Sequence, residues 1–455
     1  MIPTGPPSML SPSEALLAVA AVCRPLPPRR VDLPEALGLV LAEPIRADRD
    51  CPPFPRAMMD GYAVRLSAAG LRVRVIGEAA AGRWIDDVLA DGDAWEIMTG
   101  AACPPGTEAV VPKEYTTRDG NCVAMPARIA AGQHIAPVGS ECRAGEIVIP
   151  PGEPIAPMSL AVMASFGVRR VAIVPRPRLG IIVTGAELAP QDAAPAPGQI
   201  RDSNGPMLAA MAQPFLAERP TVAYAIDTYE SLRRALAATA DCDLVALSAG
   251  VSIGRYDLVP EALRDYGSEL VFHRVRQKPG KPLLLARRGP HVLFGLPGNS
   301  LACHFCFHRY VEVALRALAG RAPMPAIHEA VLTAAVPARG GRTYFIPGRA
   351  VPGAGGAPWI VEPLAGVSSA DIFHSHRANC YLEVPPRPRE LPARERVALT
   401  LCDLRGLTES LATDDRPWPV GLDIAMPPAR LICRHGTTSA NASTSTTTLE
   451  QAPHA

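Results

Sequence analysis

Two lysines on one short turn are the side chains in this sequence best suited to binding an anion. Lys278 and Lys281 belong to the segment Lys-Pro-Gly-Lys-Pro, which places two cations close together. Ammonium groups form charge-assisted hydrogen bonds with phosphate oxygens. The segment lies between two apolar runs that end in small or turn-forming residues, and such loops allow a ligand to approach the backbone closely. A phosphate-bearing small molecule is therefore the first ligand that these residues suggest.

Acidic and polar residues elsewhere in the middle of the chain could bind a ligand or a metal, but each also has a structural explanation. Asp202, Ser203 and Asn204 precede a helical stretch, and a helix cap would account for only one of them. Asp257 follows a Gly-rich turn, where a carboxylate could hold Mg²⁺ near phosphates or could stabilise a helix N-terminus. Glu187 follows Thr-Gly and leaves the same two alternatives open.

Three further groups have equally ordinary explanations. Asp60, in Met-Asp-Gly-Tyr, is either a turn residue or a carboxylate presented to a ligand. Thr99 opens a loop that ends in Pro-Pro-Gly, and its hydroxyl could face a ligand or simply precede a strand. Cys303, Cys306 and His308 lack a second pair of ligands at zinc spacing, so their apolar surroundings favour buried helix packing.

Three short apolar runs must position these side chains. They span residues 179–185, 243–250 and 291–300, and each ends in small or turn-forming residues. Such runs are typical of parallel strands that are buried on both faces. Loops at the carboxyl ends of these strands converge on one crevice, where open α/β sheets bind ligands. The sequence therefore predicts a central α/β domain with a parallel sheet and a site at this edge.

The whole chain predicts an α/β multidomain protein with small β-rich domains on either side of the central domain. Ser11 followed by Pro12 is typical of a helix start. Short β-type runs broken by Gly and Pro flank the central domain. The predicted units are an N-terminal helical and linker domain at 8–50 and 140–168, a β-rich domain at 51–139, the α/β domain at 169–322, a β-barrel-like C-terminal domain at 327–403, and a disordered tail at 404–455.

Composition excludes several classes of protein. The 455 residues carry a formal net charge of +1, which argues against nucleic acid as the main partner. No run of about 18 apolar residues predicts a transmembrane helix, and the N-terminus lacks the basic and apolar regions of a secretory signal. The 11 scattered cysteines suit reduced thiols, so we expect a cytoplasmic protein without membrane contact.

Seven motifs occur in one order along the chain. They are Met-Asp-Gly-Tyr-Ala, Thr-Gly-Ala…Pro-Pro-Gly, Thr-Gly-Ala-Glu-Leu, Asp-Ser-Asn, Gly-Val-Ser-Ile-Gly…Asp, Lys-Pro-Gly-Lys-Pro and Gly-Leu-Pro-Gly-Asn. Each motif alone is weakly specific. Their order, over roughly residues 11 to 390, resembles the molybdopterin molybdenumtransferases, the family that includes the C-terminal domain of gephyrin.

The resemblance implies an elongated four-part subunit and a homodimer. The active site would lie between the α/β domain of one subunit and the β-rich domain of the other. The implied reaction inserts molybdate into adenylylated molybdopterin, releases AMP and gives molybdenum cofactor, with Mg²⁺ assisting. Molybdoenzymes or their chaperones would receive the product.

The resemblance also implies roles for individual residues. The implied catalytic residues are Asp60, Thr99, Glu141, Glu187 and Asp257, and the implied metal ligands are Asp257 and Asp202. The implied substrate-binding residues are Thr184, Gly185, Asp202, Ser203, Asn204, Ser248, Gly250, Ser252, Lys278, Lys281, Pro297, Gly298, Asn299 and Arg349. The lysines would neutralise phosphates, and the strand-end loops would supply backbone amides.

Several residues depart from the family's pattern. The arginine of Gly-x-Asn-Ile-Arg is Ala136, and the Glu-Asp pair that follows it is Ser140 and Glu141, so one carboxylate remains on a longer arm. Ala186 replaces the aspartate of Thr-Gly-Asp-Glu-Leu, and Phe373-His374 replaces a Ser-Ser pair. These losses leave a second function open, a catalytically impaired protein that binds or delivers molybdopterin or molybdenum cofactor.

Overall fold

A computed structural model of the protein describes residues 9–189, 191–248, 258–337, 340–364, 366 and 368–402. Within those ranges, no helix is both long and apolar enough to cross a membrane. The predicted tail at 404–455 lies outside the described residues, and the predicted domain boundaries stay a prediction.

The first described helix packs against the central part of the molecule. α1 (Pro12–Val22) follows Ser11, whose side chain accepts a hydrogen bond from the Glu14 amide while the Glu14 carboxylate accepts one from the Ser11 amide. This capping box, with proline at the first helical position, explains the predicted helix start. Ala15 and Val19 are fully buried in the apolar cluster on one face of the central sheet.

A β-rich module, whose strands run from Arg56 to Ala136, follows three short strands: β1 (Arg29–Asp32), β2 (Val40–Leu41) and β3 (Ile45–Arg46). The strands of the module are β4 (Arg56–Ala57), β5 (Gly61–Val64), β6 (Arg72–Ala79), β7 (Asp93–Ile97), β8 (Ala109–Pro112), β9 (Thr117–Asp119), β10 (Cys122–Ala124) and β11 (Ile135–Ala136). Six of them form a sheet in the order β8–β5–β7–β6–β10–β9, while β4 pairs with β11.

The chain then returns to the first three strands. The next elements are β12 (Ile147–Ile149), α2 (Pro157–Ser165) and β13 (Arg170–Val174). β12 pairs with β3, and β13 lies between β1 and β2. Gly167 has a φ of 71°, a left-handed conformation that suits glycine, and it lies just beyond the C-terminal end of α2.

A six-stranded sheet forms the centre of the molecule and holds all three predicted strands. Its region contains β14 (Leu179–Thr184), β15 (Leu188–Ala189), β16 (Ile200–Arg201), α3 (Asn204–Ala212), β17 (Thr221–Ala225), α4 (Tyr229–Ala238), β18 (Leu244–Ser248), α5 (Val259–Asp265), β19 (Glu269–His273), β20 (Gln277–Lys278), β21 (Leu284–Arg288), β22 (His291–Leu296), α6 (Ser300–Cys306) and α7 (Glu312–Leu318). The strand order is β17–β14–β18–β22–β21–β19. Alternate strand residues belong to two different apolar clusters, so the sheet is buried on both faces and its strands read as continuous apolar runs.

Only part of this sheet is parallel. β17, β14, β18 and β22 run parallel, whereas β21 is antiparallel to both β22 and β19. Gly289 and Pro290 alone connect β21 to β22, and a two-residue connection can join only antiparallel strands. The expected parallel sheet is therefore present, with one reversed strand, β21, inserted before the edge strand β19, which again runs in the common direction.

The C-terminal part forms a closed barrel. Its elements are β23 (His328–Leu332), β24 (Thr343–Val351), β25 (Trp359–Pro363), α8 (Ile372–Ser375), β26 (Cys380–Val384) and β27 (Arg396–Leu401). The strands pair in the order β24–β25–β23–β27–β26, and β26 pairs again with β24. β20, which comes from the central region, adds to β24 in parallel. This strand ties the barrel to the segment that carries the two lysines.

A helix of the central region packs directly on the barrel. A π-helical segment, Phe307–Val311, connects α6 to α7. Phe305 stacks on Phe345 of β24 with ring centroids 4.4 Å apart, and burial raises the pKa of the neighbouring Cys303 thiol to about 12. Cys303, Cys306 and His308 are all buried, which confirms that this cluster is helix packing.

Candidate functional site

One asparagine joins the carboxyl ends of two parallel strands, and a threonine joins the end of a third. Asn204, the first residue of α3, donates from Nδ2 to Ser248 Oγ at the end of β18 and to the carbonyl oxygen of Gly298 after β22, both at 2.8 Å. Thr184, at the end of β14, donates from Oγ1 to the carbonyl oxygen of Ser248 at 3.2 Å. Asn204 Oδ1 is a buried acceptor with no partner among the described residues. The structure therefore brings four predicted binding residues to one point.

Asp202 has the structural role that the sequence left open. Its Oδ1 accepts a hydrogen bond from the Gly205 amide at 3.0 Å, and its Oδ2 accepts one from the Tyr224 hydroxyl at 3.3 Å. The first bond satisfies one amide in the first turn of α3, and the second ties Asp202 to β17. Ser203 Oγ lies 2.9 Å from Ser300 Oγ, so it joins α3 to the start of α6.

Glu187 covers the end of β14. A Cβ atom added to Gly185 would lie 2.7 Å from the Glu187 carboxylate, so this carboxylate lies against the turn after β14 and would have to move for a larger residue. Glu187 is exposed and could act on a ligand at this edge. The predicted site residues Gly250, Ser252 and Asp257 lie outside the described residues.

A cavity of about 530 Å³ lies between the central region and the barrel. Its polar lining includes Lys278, whose Nζ lies 5.6 Å from the centroid of the Tyr344 ring on β24. Leu301, Ser368 and Ser369 also line the cavity. A mostly apolar wall with a few polar groups is typical of sites for small molecules.

The loop after β22 contributes to the rim of this cavity. Asn299 Nδ2 donates to Ser369 Oγ at 2.7 Å and so ties the predicted Pro-Gly-Asn loop to the C-terminal region. Pro297, in the same loop, is buried. Lys281 is exposed and does not belong to the cavity lining, and Arg349 lies on β24 opposite Glu362 of β25. Of the two predicted lysines, the structure thus places Lys278 at the cavity.

Asp60 and Thr99 form one hydrogen-bonded unit in the β-rich module. The backbone amide and the hydroxyl of Thr99 both donate to Asp60 Oδ1, at 2.7 and 2.6 Å. These two bonds, the hydroxyl more than the amide, hold the pKa of Asp60 below its ordinary value, and the charge of Lys113 adds to the effect. Asp60 and Thr99, 39 positions apart in the sequence, therefore present one ionised carboxylate.

Glu141 belongs to a second cluster beside the module. Arg56 Nη2 donates to Glu141 Oε1 at 2.5 Å, and Cys51 Sγ donates to Oε2 at 3.4 Å. The Cys51 thiol and then the Arg56 guanidinium lower the pKa of Glu141. Arg56 on β4 faces Ala136 on β11. The carboxylate that remains at position 141 is thus paired with a cation.

Sequence reasoning missed Arg56, Cys51, Tyr344 and Ser369. Arg56 and Glu141 are 85 positions apart, and no local spacing connects them. Ser368 and Ser369 form a Ser-Ser pair, which was the one sequence signal for Ser369. The pair lies before Phe373-His374, where the family pattern has its two serines. No hydrogen bond or ion pair between described residues links the Asp60 or Glu141 clusters to Lys278 within one chain.

Three sequence families match consecutive parts of the chain. Residues 10–167 match the MoeA N-terminal region (domain I and II), residues 180–317 match a probable molybdopterin binding domain, and residues 329–401 match the MoeA C-terminal region (domain IV). These matches follow the order of the β-rich module, the central sheet and the barrel.

Known proteins resemble the chain over most of its length. A molybdopterin molybdenumtransferase of Staphylococcus aureus is 30% identical over 407 residues, which cover 88% of this chain and 97% of that protein. The Staphylococcus epidermidis protein of the same name is 34% identical over 311 residues, 66% of this chain and 74% of that protein. Two structures of the molybdopterin biosynthesis protein MoeA from Pyrococcus horikoshii have TM-scores of 0.74 and 0.71, with 28% and 27% identity, and cover 87% of this chain and all of theirs.

Proposed function

The chain belongs to the molybdopterin molybdenumtransferase family, and we propose that it inserts molybdate into adenylylated molybdopterin, with release of AMP and formation of molybdenum cofactor. The observation that carries this proposal is the cavity beside Lys278, whose rim is tied through Asn299 to the loops at the joined strand ends. These strand ends are where open α/β sheets bind ligands.

The cavity suits the two chemical parts of a pterin phosphate. Leu301 and the Tyr344 ring supply apolar walls for the pterin, and Lys278 supplies a cation for a phosphate. The hydroxyls of Ser368 and Ser369 can donate to ligand oxygens. Binding here would hold the pterin beside the end of β22.

The two acidic clusters act from the β-rich module. Asp60 is ionised and fixed by Thr99, and Glu141 is ionised and fixed by Arg56. The family pattern has an arginine where this chain has Ala136. In this proposal Arg56 supplies the cation near Glu141 instead. The module of one subunit serves the cavity of its partner, which requires a homodimer.

Mg²⁺ assistance rests on Asp257 and Asp202. Both carboxylate oxygens of Asp202 already accept hydrogen bonds from the protein, and the described residues contain no group of three or more candidate metal ligands. Asp257 lies outside the described residues, and Asp202 alone does not make a Mg²⁺ site, so the residue roles proposed for this chain do not depend on the metal. The free thiols of all described cysteines favour a cytoplasmic location, where molybdoenzymes or their chaperones would receive the product.

The direct test mixes purified protein with adenylylated molybdopterin and molybdate and measures AMP. We expect AMP release that depends on molybdate and falls strongly in a Lys278→Ala variant. Tight binding of molybdopterin without any AMP release by the wild-type protein would overturn the enzyme and support a binding or delivery protein. Reactions without molybdate provide the matched control.

A further inference from the structure

Two cysteines face each other where the chain enters and leaves the β-rich module. The Cys51 amide donates to the Cys142 carbonyl oxygen at 2.9 Å, and the Cys142 amide donates to the Cys51 carbonyl oxygen at 3.2 Å. The two residues form an isolated antiparallel bridge, and both are partly exposed free thiols. Side chains of directly opposed residues point to the same side of the strands. The two cysteine side chains therefore leave the backbone on the same side, at the attachment of the module.

A β-bulge at this bridge brings a carboxylate to the same point. The Glu141 amide also donates to the Cys51 carbonyl oxygen, at 2.9 Å, so two residues of one strand face one residue of the other. Cys51 Sγ donates to Glu141 Oε2 at 3.4 Å. One thiol of the pair is thus already in contact with a base.

We propose that Cys51 and Cys142 are a modification site, an oxidisable thiol pair that closes to a disulfide and clamps the attachment of the β-rich module. Hydrogen-bonded antiparallel pairs have Cα atoms about 5.5 Å apart. Disulfides span Cα distances of about 4.4–6.8 Å, which this bridge meets, and need Cβ atoms about 3.5–4.5 Å apart, whereas opposed strand residues have them about 4.5–5.5 Å apart. Closing the disulfide therefore draws the two segments slightly towards each other at this isolated bridge. Cys303 and Cys306, by contrast, lie three positions apart on a helix, and both are fully buried.

The oxidant is a peroxide, and the two thiols have different parts. Burial, and next the hydrogen bond to Glu141, raise the pKa of Cys51, with a smaller effect from the charge of Cys142. We assign the first step to Cys142, because the Cys51 thiol is held by its hydrogen bond to Glu141. The Cys142 sulfur attacks the peroxide, becomes a sulfenic acid and releases one water. Cys51 sulfur then attacks the Cys142 sulfur, and Glu141 passes the Cys51 proton to the departing hydroxyl. The hydroxyl leaves as a second water, so two thiols lose two electrons and the peroxide gains them.

The pairing does not depend on the proposed function, although its effect on activity does. Disulfide formation removes the thiol hydrogen bond from Glu141 and leaves this carboxylate with Arg56 alone. AMP release from the oxidised protein would then differ from that of the reduced protein, and a reductant would reverse the difference. If the protein released no AMP, peptide mapping would still test the pairing of Cys51 with Cys142.

The test treats the full-length chain with hydrogen peroxide and maps its peptides without reduction. We expect a cross-linked peptide pair that contains Cys51 and Cys142, lighter by two hydrogens, before Cys303 or Cys306 reacts. Cys142→Ser should abolish the cross-link and leave Cys51 largely reduced, and Cys51→Ser should leave a sulfenic acid or a higher oxide at Cys142. Cys122→Ser, a change at another partly exposed cysteine, should leave the cross-link unchanged. Thermal unfolding of each variant checks its fold.

Two results would overturn the proposal. One is oxidation of Cys51 and Cys142 to separate sulfinic acids without a cross-link in the folded wild-type protein. The other is a mixture of disulfide cross-links between various cysteines, with no preference for Cys51 and Cys142. As a second measurement, the reduced protein is treated with peroxide, and the thiols that still react with an alkylating reagent are identified. Cys51 and Cys142 should become unreactive together, and independent loss of the two would argue against a pair.

Discussion

Arg56 lies directly opposite Ala136 on the antiparallel pair of β4 and β11, and its guanidinium donates to the carboxylate of Glu141. Directly opposed side chains on antiparallel strands point to the same face, with Cβ atoms about 4.5–5.5 Å apart. An arginine at either position can therefore supply a cation to the same region. This relationship explains how the chain keeps an ion pair here although position 136 carries no charge.

The first prediction concerns this cation. Arg56→Gln should lower the rate of AMP release by about tenfold to a hundredfold, the range for loss of one charged hydrogen bond of about 1.5–3 kcal/mol. Ala136→Arg added to that variant should restore much of the rate. Arg72→Gln, which breaks an exposed ion pair with Asp119 elsewhere in the module, is the matched control and should have little effect. Equal rates for Arg56→Gln and wild type would remove Arg56 from the site.

The second prediction concerns the ionisation of Asp60. Thr99→Val removes the hydroxyl donor, which contributes most to the lowered pKa of Asp60, so this pKa should rise towards the ordinary value. A carboxyl with a lowered pKa in the folded state adds stability above its unfolded pKa and loses it as the pH falls through the folded pKa. Because Asp60 takes up its proton at higher pH in Thr99→Val, the acidic limb of the pH–rate profile for AMP release should also move to higher pH. NMR titration of the carboxyl carbon gives the pKa directly.

A control for this pH effect lies on an exposed strand of the same module. Thr117 is exposed on β9, and Thr117→Val should leave both the Asp60 pKa and the pH–rate profile in place. If Thr99→Val lowers the rate equally at all pH values, the hydroxyl positions Asp60 without controlling its charge.

The third prediction separates the two lysines. Lys278→Ala should weaken the binding of a pterin phosphate by about 1.5–3 kcal/mol, because Lys278 lines the cavity and can make a charged hydrogen bond there. Lys281→Ala should weaken it less, because Lys281 is exposed outside the cavity lining. Isothermal calorimetry on both variants measures the difference. A larger loss in Lys281→Ala would place the phosphate outside this cavity.

The sequence was most informative where burial is continuous and least informative where distant segments meet. β14, β18 and β22 could be predicted because both faces of each strand are covered, so their polar residues are confined to the strand ends, at Thr184, Ser248 and His291. The start of α1 could be predicted because its cap is local. The register between distant strands is fixed by packing, and the spacing of residues along the sequence carries no information about it. The pairs Asp60–Thr99 and Arg56–Glu141, and the cavity between Lys278 and Tyr344, therefore became visible only in the fold.

The last prediction concerns the sharing of one site by two subunits. Arg56 and Glu141 lie at the β-rich module, Lys278 lies at the cavity, and no hydrogen bond or ion pair between described residues joins these groups within one chain. If the partner subunit supplies the module, co-expressed Arg56→Gln and Lys278→Ala chains will form heterodimers with one intact site. Random pairing makes about half of the dimers heterodimers, so about a quarter of wild-type AMP release should return. Chains that carry both substitutions, co-expressed with Arg56→Gln chains, should recover nothing. Light scattering checks that each mixture is dimeric, and dimers without recovered activity would mean that each site is built from a single chain.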